Sequence, residues 1–376
     1  MDKGKRAALA ALIVAVACAG AWALSPRRAP EGPGVGSPSS GDRTEVISFT
    51  MGTVARIVAE GPGAEAAVAG ALEELDRLSL LFDRFRPYGD VWALNAAGGE
   101  WVEVTPEVLE LIEEAVRLAE LSGGAFDPTI APVIDLWGFV EVGAQPEEDG
   151  HEHSRAPGSA PTRMAGTEPP DPQELETVLK RVGYRRIEVD PDRGRARVGT
   201  GQTIDLGAIA KGYGVDRAAQ LLKERGIVRG LVDLGGDIYA LGTRADGSPW
   251  RLGIRHPRQD GALLGILRVS DAAVATSGDY ERYFEHEGVR YSHIVDPRTG
   301  WPARELVSVT VVAPSGVWAD ALATAVFVLG KEEGLALLES LPGVEGIVVD
   351  AGLQVEMTSG LEGKLELLLT PAGESK

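Results

Sequence analysis

The sequence predicts an α+β fold, and three observations predict it. Apolar runs of strand length come in pairs around short Gly turns, as hairpins do. Longer segments carry apolar residues at helical spacing. Strands therefore occur in hairpins as well as beside helices, which favours α+β over a doubly wound parallel sheet. The chain has 376 residues, 44% hydrophobic and 25% charged, enough for one large domain or two ordinary ones with a sizeable core. It has no internal repeat of fixed period.

The N-terminus is not part of that core. Lys3, Lys5 and Arg6 precede an apolar run from Ala7 to Leu24, so residues 1–24 have the layout of a secretory signal. Three fates stay open. Ala21, Trp22 and Ala23 offer a cleavage site. The apolar run is also near the lower limit for an uncleaved membrane anchor. Finally, "AVAC" resembles a lipobox, with Ala15 where Leu is usual, which would make Cys18 the lipidated residue of a lipoprotein. The alternative is that Cys18 is simply a small residue in an Ala-rich run. Each of the three fates puts the body outside the cytoplasmic membrane. Cys18 is the one cysteine, so an intramolecular disulfide and a cysteine-based zinc site are excluded. Residues 25–43, rich in Pro, Gly and Ser, read as a flexible linker.

A domain spanning 44–372 follows. "EVISFTMGTVARIVAE" reads as strand, Gly break and strand. Val68, Leu72, Leu75, Leu78 and Phe82 mark a first helix. "VTPEVLELIEEAVRLAELSGG" is the clearest helix, with Thr105 suited to the N-cap, Pro106 to the first turn and Gly123 to the C-terminal cap. Residues 143–172 break the pattern and read as a disordered insertion. His151 and His153 within it either recruit a metal or sit in a solvated loop. Then come a helix at "QELETVLKRVG", a hairpin around Asp190 to Gly194, and a strand end running into a helix at "IDLGAIAKGYGVDRAAQLLKERG". Short strands with Gly turns occupy 229–278. A hairpin turning near Glu287-Gly288, a buried strand "SVTVVAP", two helices and a last strand, "EGIVVD", complete the domain.

The net charge is -19. Such a surface repels phosphate backbones and argues against a nucleic-acid partner. An anionic ligand would need a local device such as a metal ion, a lysine or a helix N-terminus. Asp320 and Thr324 lie four apart in an otherwise apolar helix and share one face. They are hard oxygen donors suited to a divalent cation, unless Asp320 merely caps its helix. Asp205, a Gly turn and Lys211 at a helix start can make an anion site or simply a close packing. Gly235-Gly236, between Asp233 and Asp237, is either a tight turn or a ligand-facing loop. "GGAFDPTIAPVIDLWGF", with Asp127, Trp137 and Phe139, suits a planar ligand or a core corner. In "RYSHIVDPRTG", His293 shares a strand face with Tyr291 and Val295, and Asp296–Thr299 suit a type I turn closed by Gly300. A histidine on that rim is either a general base or a hydrogen-bonded core residue.

Taken in order, these stretches resemble one family, the FAD:protein FMN transferases (ApbE-type flavin transferases, formerly filed as thiamine-biosynthesis lipoproteins). "MGT" at 51, "FRPYGDVWALN" at 85, "GGAFDPTIAPVIDLWGF" at 123, "IDLGAIAKGYGVD" at 204 and "LVDLGGDIYALG" at 231 carry the resemblance. So do "ATSGDYERYF" at 275, "HIVDPRTGWPA" at 293 and "ADALATAVFVLG" at 319. It implies mostly antiparallel sheets with packed helices and a site in a cleft. It also implies magnesium-dependent transfer of FMN from FAD to a Ser or Thr hydroxyl of an acceptor protein, an exported electron-transport subunit being the usual target. AMP is the leaving group. Asp320, Thr324 and the Ala208 carbonyl would hold the metal, Asp205 and Lys211 would contact FAD, and Met51, Phe85, Phe126, Asp127 and Ile294 would line the flavin site. His293 would be the base. The rival readings are an FAD pyrophosphatase, which needs the same metal and pocket, and a non-catalytic FAD-binding lipoprotein, which needs no metal.

Overall fold

The computed structural model describes residues 43–139 and 167–368. The signal segment, Cys18, nearly all of the linker, His151, His153 and most of the 143–172 insertion lie outside the described residues.

The strands are β1 (Arg43–Thr50), β2 (Thr53–Glu60), β3 (Val102–Glu103), β4 (Glu188–Asp190), β5 (Arg195–Arg197), β6 (Arg229–Leu234), β7 (Asp237–Leu241), β8 (Trp250–Arg255), β9 (Leu263–Val269), β10 (Ala272–Gly278), β11 (Tyr283–His286), β12 (Val289–Ser292), β13 (Leu306–Ala313), β14 (Glu345–Asp350), β15 (Val355–Met357) and β16 (Leu365–Leu367). The helices are α1 (Ala64–Phe82), α2 (Asp90–Ala96), α3 (Pro106–Leu121), α4 (Ala131–Leu136), α5 (Pro172–Leu179), α6 (Ala210–Glu224), α7 (Gly316–Leu329) and α8 (Lys331–Glu339). Eight strands form one sheet in the order β1-β2-β6-β7-β10-β13-β14-β15, and every pairing in it is antiparallel. The α+β expectation holds.

Period-two alternation gives this sheet two apolar faces. Ala55, Ile57 and Ala59 of β2 face one core, under α1, α6 and α7. Val58, Leu231, Ile238 and Val274 face the other, which the small sheet β16-β9-β8 covers with Trp250, Leu252, Leu264 and Leu267. The helix α7 is apolar nearly all round and buried nearly all round, as such a helix must be. Fully burying Leu322 or Phe327 contributes about 1.5–3 kcal/mol each.

Several expected turns hold. Met51 and Gly52 (φ 50° and 71°) and Glu287 and Gly288 (φ 50° and 75°) are left-handed pairs in two-residue hairpin loops, the geometry that matches strand twist. Other expectations need correction. Residues 201–206 form no strand before α6. "EGIVVD" is not the last strand, since β15 and β16 follow it. The helix after the insertion ends at Leu179, and the insertion's last two residues belong to it: Asp171 accepts the Gln173 and Glu174 N–H groups as N-cap and Pro172 opens the first turn. Thr105 stands at the N-cap of α3, but its hydroxyl caps nothing. Its own N–H donates instead to Asp90 Oδ2 at 2.6 Å.

The starts of α6 and α7 touch backbone to backbone. A Cβ at Gly212 would collide with the Gly316 carbonyl oxygen, and a Cβ at Gly316 with that of Gly212. Neither neighbour is a flexible side chain that can move aside. Asp216 of α6 fixes the same junction by accepting the N–H groups of Gly316 (2.7 Å) and Val317 (3.1 Å) and the Ser315 hydroxyl (2.9 Å). It thereby caps α7 from outside the helix. Gly212→Ala is expected to cost about 1–3 kcal/mol, the usual penalty of overpacking, measured by urea unfolding.

Candidate active site

One end of the large sheet gathers the site. The β1–β2 and β6–β7 turns lie together there, with the Gly235 N–H donating to the Val54 carbonyl at 3.0 Å. Val274 of β10 pairs with Ile238, so Thr276 and Ser277 run past the start of β7 at the same end. Asp233 and Asp237 flank the double glycine but face opposite ways. Asp233 pairs with Ile238 of the outer core, and Asp237 pairs with Leu234 of the helix-side core. Asp237 therefore meets α6.

Lys211, in the first turn of α6, forms an ion pair with Asp237 and lies 3.7 Å from Asp320 Oδ1. Asp237 and Asp320 are 3% and 5% exposed. Burial by itself would lower the Lys211 pKa, but the charges of Asp237 and Asp320 outweigh it and the net shift is upward. Lys211 is thus a permanent cation. Burial, then the charge of Asp320, pushes Asp237 up to about 7 against the pull of Lys211. Asp320 does not cap its own helix: its Oδ2 accepts the Gly212 N–H of α6 at 3.1 Å. As one of the first four amides of α6, that N–H has no acceptor within its own helix, and Asp320 supplies one from outside. The Ala208 carbonyl accepts no hydrogen bond among the described residues. One turn beyond Asp320, the Thr324 hydroxyl lies 3.2 Å from that of Ser277. Among the described residues no group of three or more His, Cys, Asp and Glu side chains is placed to hold a metal. A cation here would rest on mixed carboxylate, hydroxyl and carbonyl oxygens.

Asp205 sits just before α6. Its Oδ1 accepts the Gly207 N–H at 2.7 Å and its Oδ2 pairs with Arg84 Nε at 2.9 Å. Arg84 also binds Asp135 and lays its guanidinium 4.1 Å from the ring centre of Phe85. The Asp205 N–H donates to the Pro128 carbonyl at 2.8 Å, which joins this segment to the Asp127 loop. Both oxygens of Asp127 are engaged, Oδ1 by the Thr129 N–H (2.8 Å) and hydroxyl (2.6 Å) and Oδ2 by the Tyr184 N–H (2.9 Å). Burial pushes its pKa up against those bonds. A cavity of about 320 Å³ opens beside it, walled by Gly183, Tyr184, Arg186 and Arg298. The side chains of Phe126 and Ile294 are in the helix-side core. Met51 packs its sulfur against Gly214 of α6.

His293 follows β12. Its N–H donates to the Arg282 carbonyl at 3.0 Å, and its Nδ1 lies 3.2 Å from the same oxygen. A carbonyl only accepts, so Nδ1 carries the proton and the Nε2 lone pair is free. Crowding by protein, then the charges of Arg282 and Lys211, hold its pKa well below the ordinary histidine range, against the pull of the Arg282 carbonyl. Lys211 therefore lies close enough for its charge to reach the ring. Trp137 Nε1 donates to the Gly300 carbonyl at 2.8 Å, and its ring packs on Phe284, Tyr291 and Trp301. Trp137 and Phe139, each 1% exposed, are the core corner and not a platform for a planar ligand.

The structure thus joins Lys211 and Asp320, with Thr324 one turn beyond Asp320, and sets His293 at the end of the β11–β12 hairpin within reach of the Lys211 charge. Asp205 and Asp127 form a neighbouring, hydrogen-bonded wall. Sequence reasoning missed the part of Asp237, for which "LGGD" was the only signal, and of Arg84, Asp216 and Ser277, for which spacing gave none.

The model of the ApbE family matches residues 51–348. The chain is 35% identical to the FAD:protein FMN transferase of Treponema pallidum over 89% of its own length and 93% of that protein. It is 32% identical to the Vibrio cholerae FAD:protein FMN transferase, covering 87% of this chain and 94% of the other. Among solved structures, the ApbE protein of Thermotoga maritima superposes with a TM-score of 0.75 at 34% identity, covering 86% of this chain and 99% of that one. The flavinyl transferase ApbE of Pseudomonas stutzeri gives 0.72 at 30% identity, covering 86% and 96%.

Asp233, on the sheet face away from Lys211, gives a pH test of this end of the sheet. Burial raises its pKa to about 6, against the Gly236 N–H and Arg56. The unfolded carboxyl titrates near ~4, so the native state holds the extra proton between about 4 and 6. Stability therefore falls as pH rises through that window. Asp233→Asn, which still accepts the Gly236 N–H, is expected to be more stable than wild type by about 1–3 kcal/mol above pH ~6. The gain should vanish near pH ~4, as read from urea unfolding at both pH values.

Proposed function

The chain belongs to the ApbE family, and from that premise we propose that it transfers the FMN half of FAD to a Ser or Thr hydroxyl of an acceptor protein, with magnesium bound and AMP released. One observation supports the reading above the others. A permanent lysine cation, a buried aspartate with a hydroxyl one turn away, and a histidine fixed in its base-competent tautomer meet at one end of the sheet.

Phosphoryl transfer needs positioning, charge neutralisation and a partner for the hydroxyl proton. Lys211 supplies positive charge for the diphosphate of FAD in an otherwise acidic protein. Asp205 and Lys211 contact FAD, and Met51, Phe85, Phe126, Asp127 and Ile294 frame its flavin. Phe126 and Ile294 would do so through backbone groups, because their side chains are in the core. Neutral His293 takes the acceptor's proton on Nε2. The acceptor oxygen bonds to the FMN phosphorus, the bond from that phosphorus to the bridging oxygen breaks, and AMP leaves with the bridge. The donor set fits magnesium: Asp320, Thr324 and the unengaged Ala208 carbonyl are all hard oxygens. Bound there, the ion would neutralise charge on the phosphates. The N-terminal pattern supports export and attachment at the outer face of the membrane, through lipid on Cys18 or an apolar anchor. An exported electron-transport subunit is then the natural acceptor.

The test incubates the protein with FAD, magnesium and a Ser/Thr-containing acceptor peptide and reads mass. An FMN adduct is expected. Free FMN and AMP without an adduct would establish a hydrolase, and unchanged FAD would reduce the protein to a flavin binder. Asp320→Ala is expected to lower metal-dependent turnover at least ~100-fold with cooperative unfolding retained; wild-type turnover would remove Asp320 from the cation site. His293→Ala should slow transfer by about 10²–10⁴ while FAD affinity, read by flavin fluorescence, stays within about threefold. Equal losses in both would show that His293 serves binding and not proton transfer.

A further inference from the structure

Two buried carboxylates share one ammonium at this site. Asp237 and Asp320 are 3% and 5% exposed, and Lys211 is the cation that pairs with both. The sharing is unequal: Lys211 is hydrogen-bonded to Asp237, whereas Asp320 Oδ1 stands 3.7 Å away. The other Asp320 oxygen is held by the Gly212 N–H. Asp237 cannot drift, since it opens β7 directly after the Gly235-Gly236 turn, with both flanking strands paired in the sheet. We propose that Asp237 is a positioning residue: it holds the Lys211 ammonium off Asp320 and so leaves Oδ1 of Asp320 open to a divalent cation.

The physical argument is competition. A lysine ammonium and a divalent cation both seek the same carboxylate oxygen, and a buried ammonium without a counter-charge is costly. With Asp237 present, Lys211 has its own counter-charge at β7. Without it, Asp320 is the remaining carboxylate in reach, and Lys211 would settle where the cation belongs. Asp237 thus acts on the metal through Lys211 and does not ligate it.

This inference rests on the cation site proposed above, and a double-mutant cycle separates the two. Binding of Mn²⁺ or Mg²⁺ alone, without FAD, is measured by calorimetry on the full chain, D237N, K211M and the double variant. Asp237→Asn should weaken cation affinity by at least about tenfold in the native background. In the K211M background, where no ammonium competes, the same substitution should cost less than about twofold. Equal costs in the two backgrounds would overturn the positioning role and leave the cation site standing. Absence of cation binding in the wild-type chain would overturn the site and this role together. Should D237N fail to fold, Asp237→Ser runs the same cycle.

Discussion

The contact between the Gly212 and Gly316 backbones is the constraint on which the site depends. It brings the first turn of α6 against the first turn of α7 with no side chain between them. Only then does the Gly212 N–H reach Asp320, four residues into α7. The Ala208 carbonyl, just before α6, has no donor among the described residues. A lone carboxylate in so apolar a helix would cost several kcal/mol. Here it is offset by an amide and a nearby ammonium. Stability and chemistry therefore draw on the same few atoms. The junction is closed from the other side by Asp216, which caps α7 and so ties the two helix starts twice.

The sheet supplies the second half of the arrangement. Antiparallel pairing brings the β1–β2 turn, the β6–β7 turn and the end of β10 to one edge of the helix layer. Asp237 is turned toward α6 and Asp233 away from it because successive strand residues alternate faces. The acidic surface makes a local cation necessary for any phosphate ligand. Lys211 is such a cation, and the charges of Asp237 and Asp320 hold its pKa up against burial.

His293 is positioned by a separate unit. The β11–β12 hairpin is clamped on an aromatic cluster around Trp137, whose indole N–H reaches across to Gly300. The Arg282 carbonyl then sets the tautomer. With its proton fixed on Nδ1 the ring presents a free Nε2, and burial, then nearby positive charge, favours the neutral form. Asp320 and Thr324 stand on α7 and His293 follows the hairpin, so each can be adjusted without rebuilding the other.

What the sequence determined by itself is local and periodic. Hairpin loops at Met51-Gly52 and Glu287-Gly288 were legible because such turns need residues that tolerate positive φ. The helices α1, α3 and α7 were legible from apolar spacing, and Asp320 and Thr324 from their shared helix face. The motif order carried the family. Less legible were short β15 and β16, which have little pattern to read, and the strandless run before α6, where "IDL" looks like any apolar strand end. Thr105 has the right residue type for a cap, yet its hydroxyl bonds nothing. Only the tertiary structure decided that Asp320 answers to α6 and not to its own helix, that Asp216 caps α7, and that Asp237 holds Lys211. Those contacts join residues 26 to 108 positions apart. Spacing along a chain encodes a neighbour one helical turn away, but a partner across two packed helices is chosen only when the core brings their backbones together.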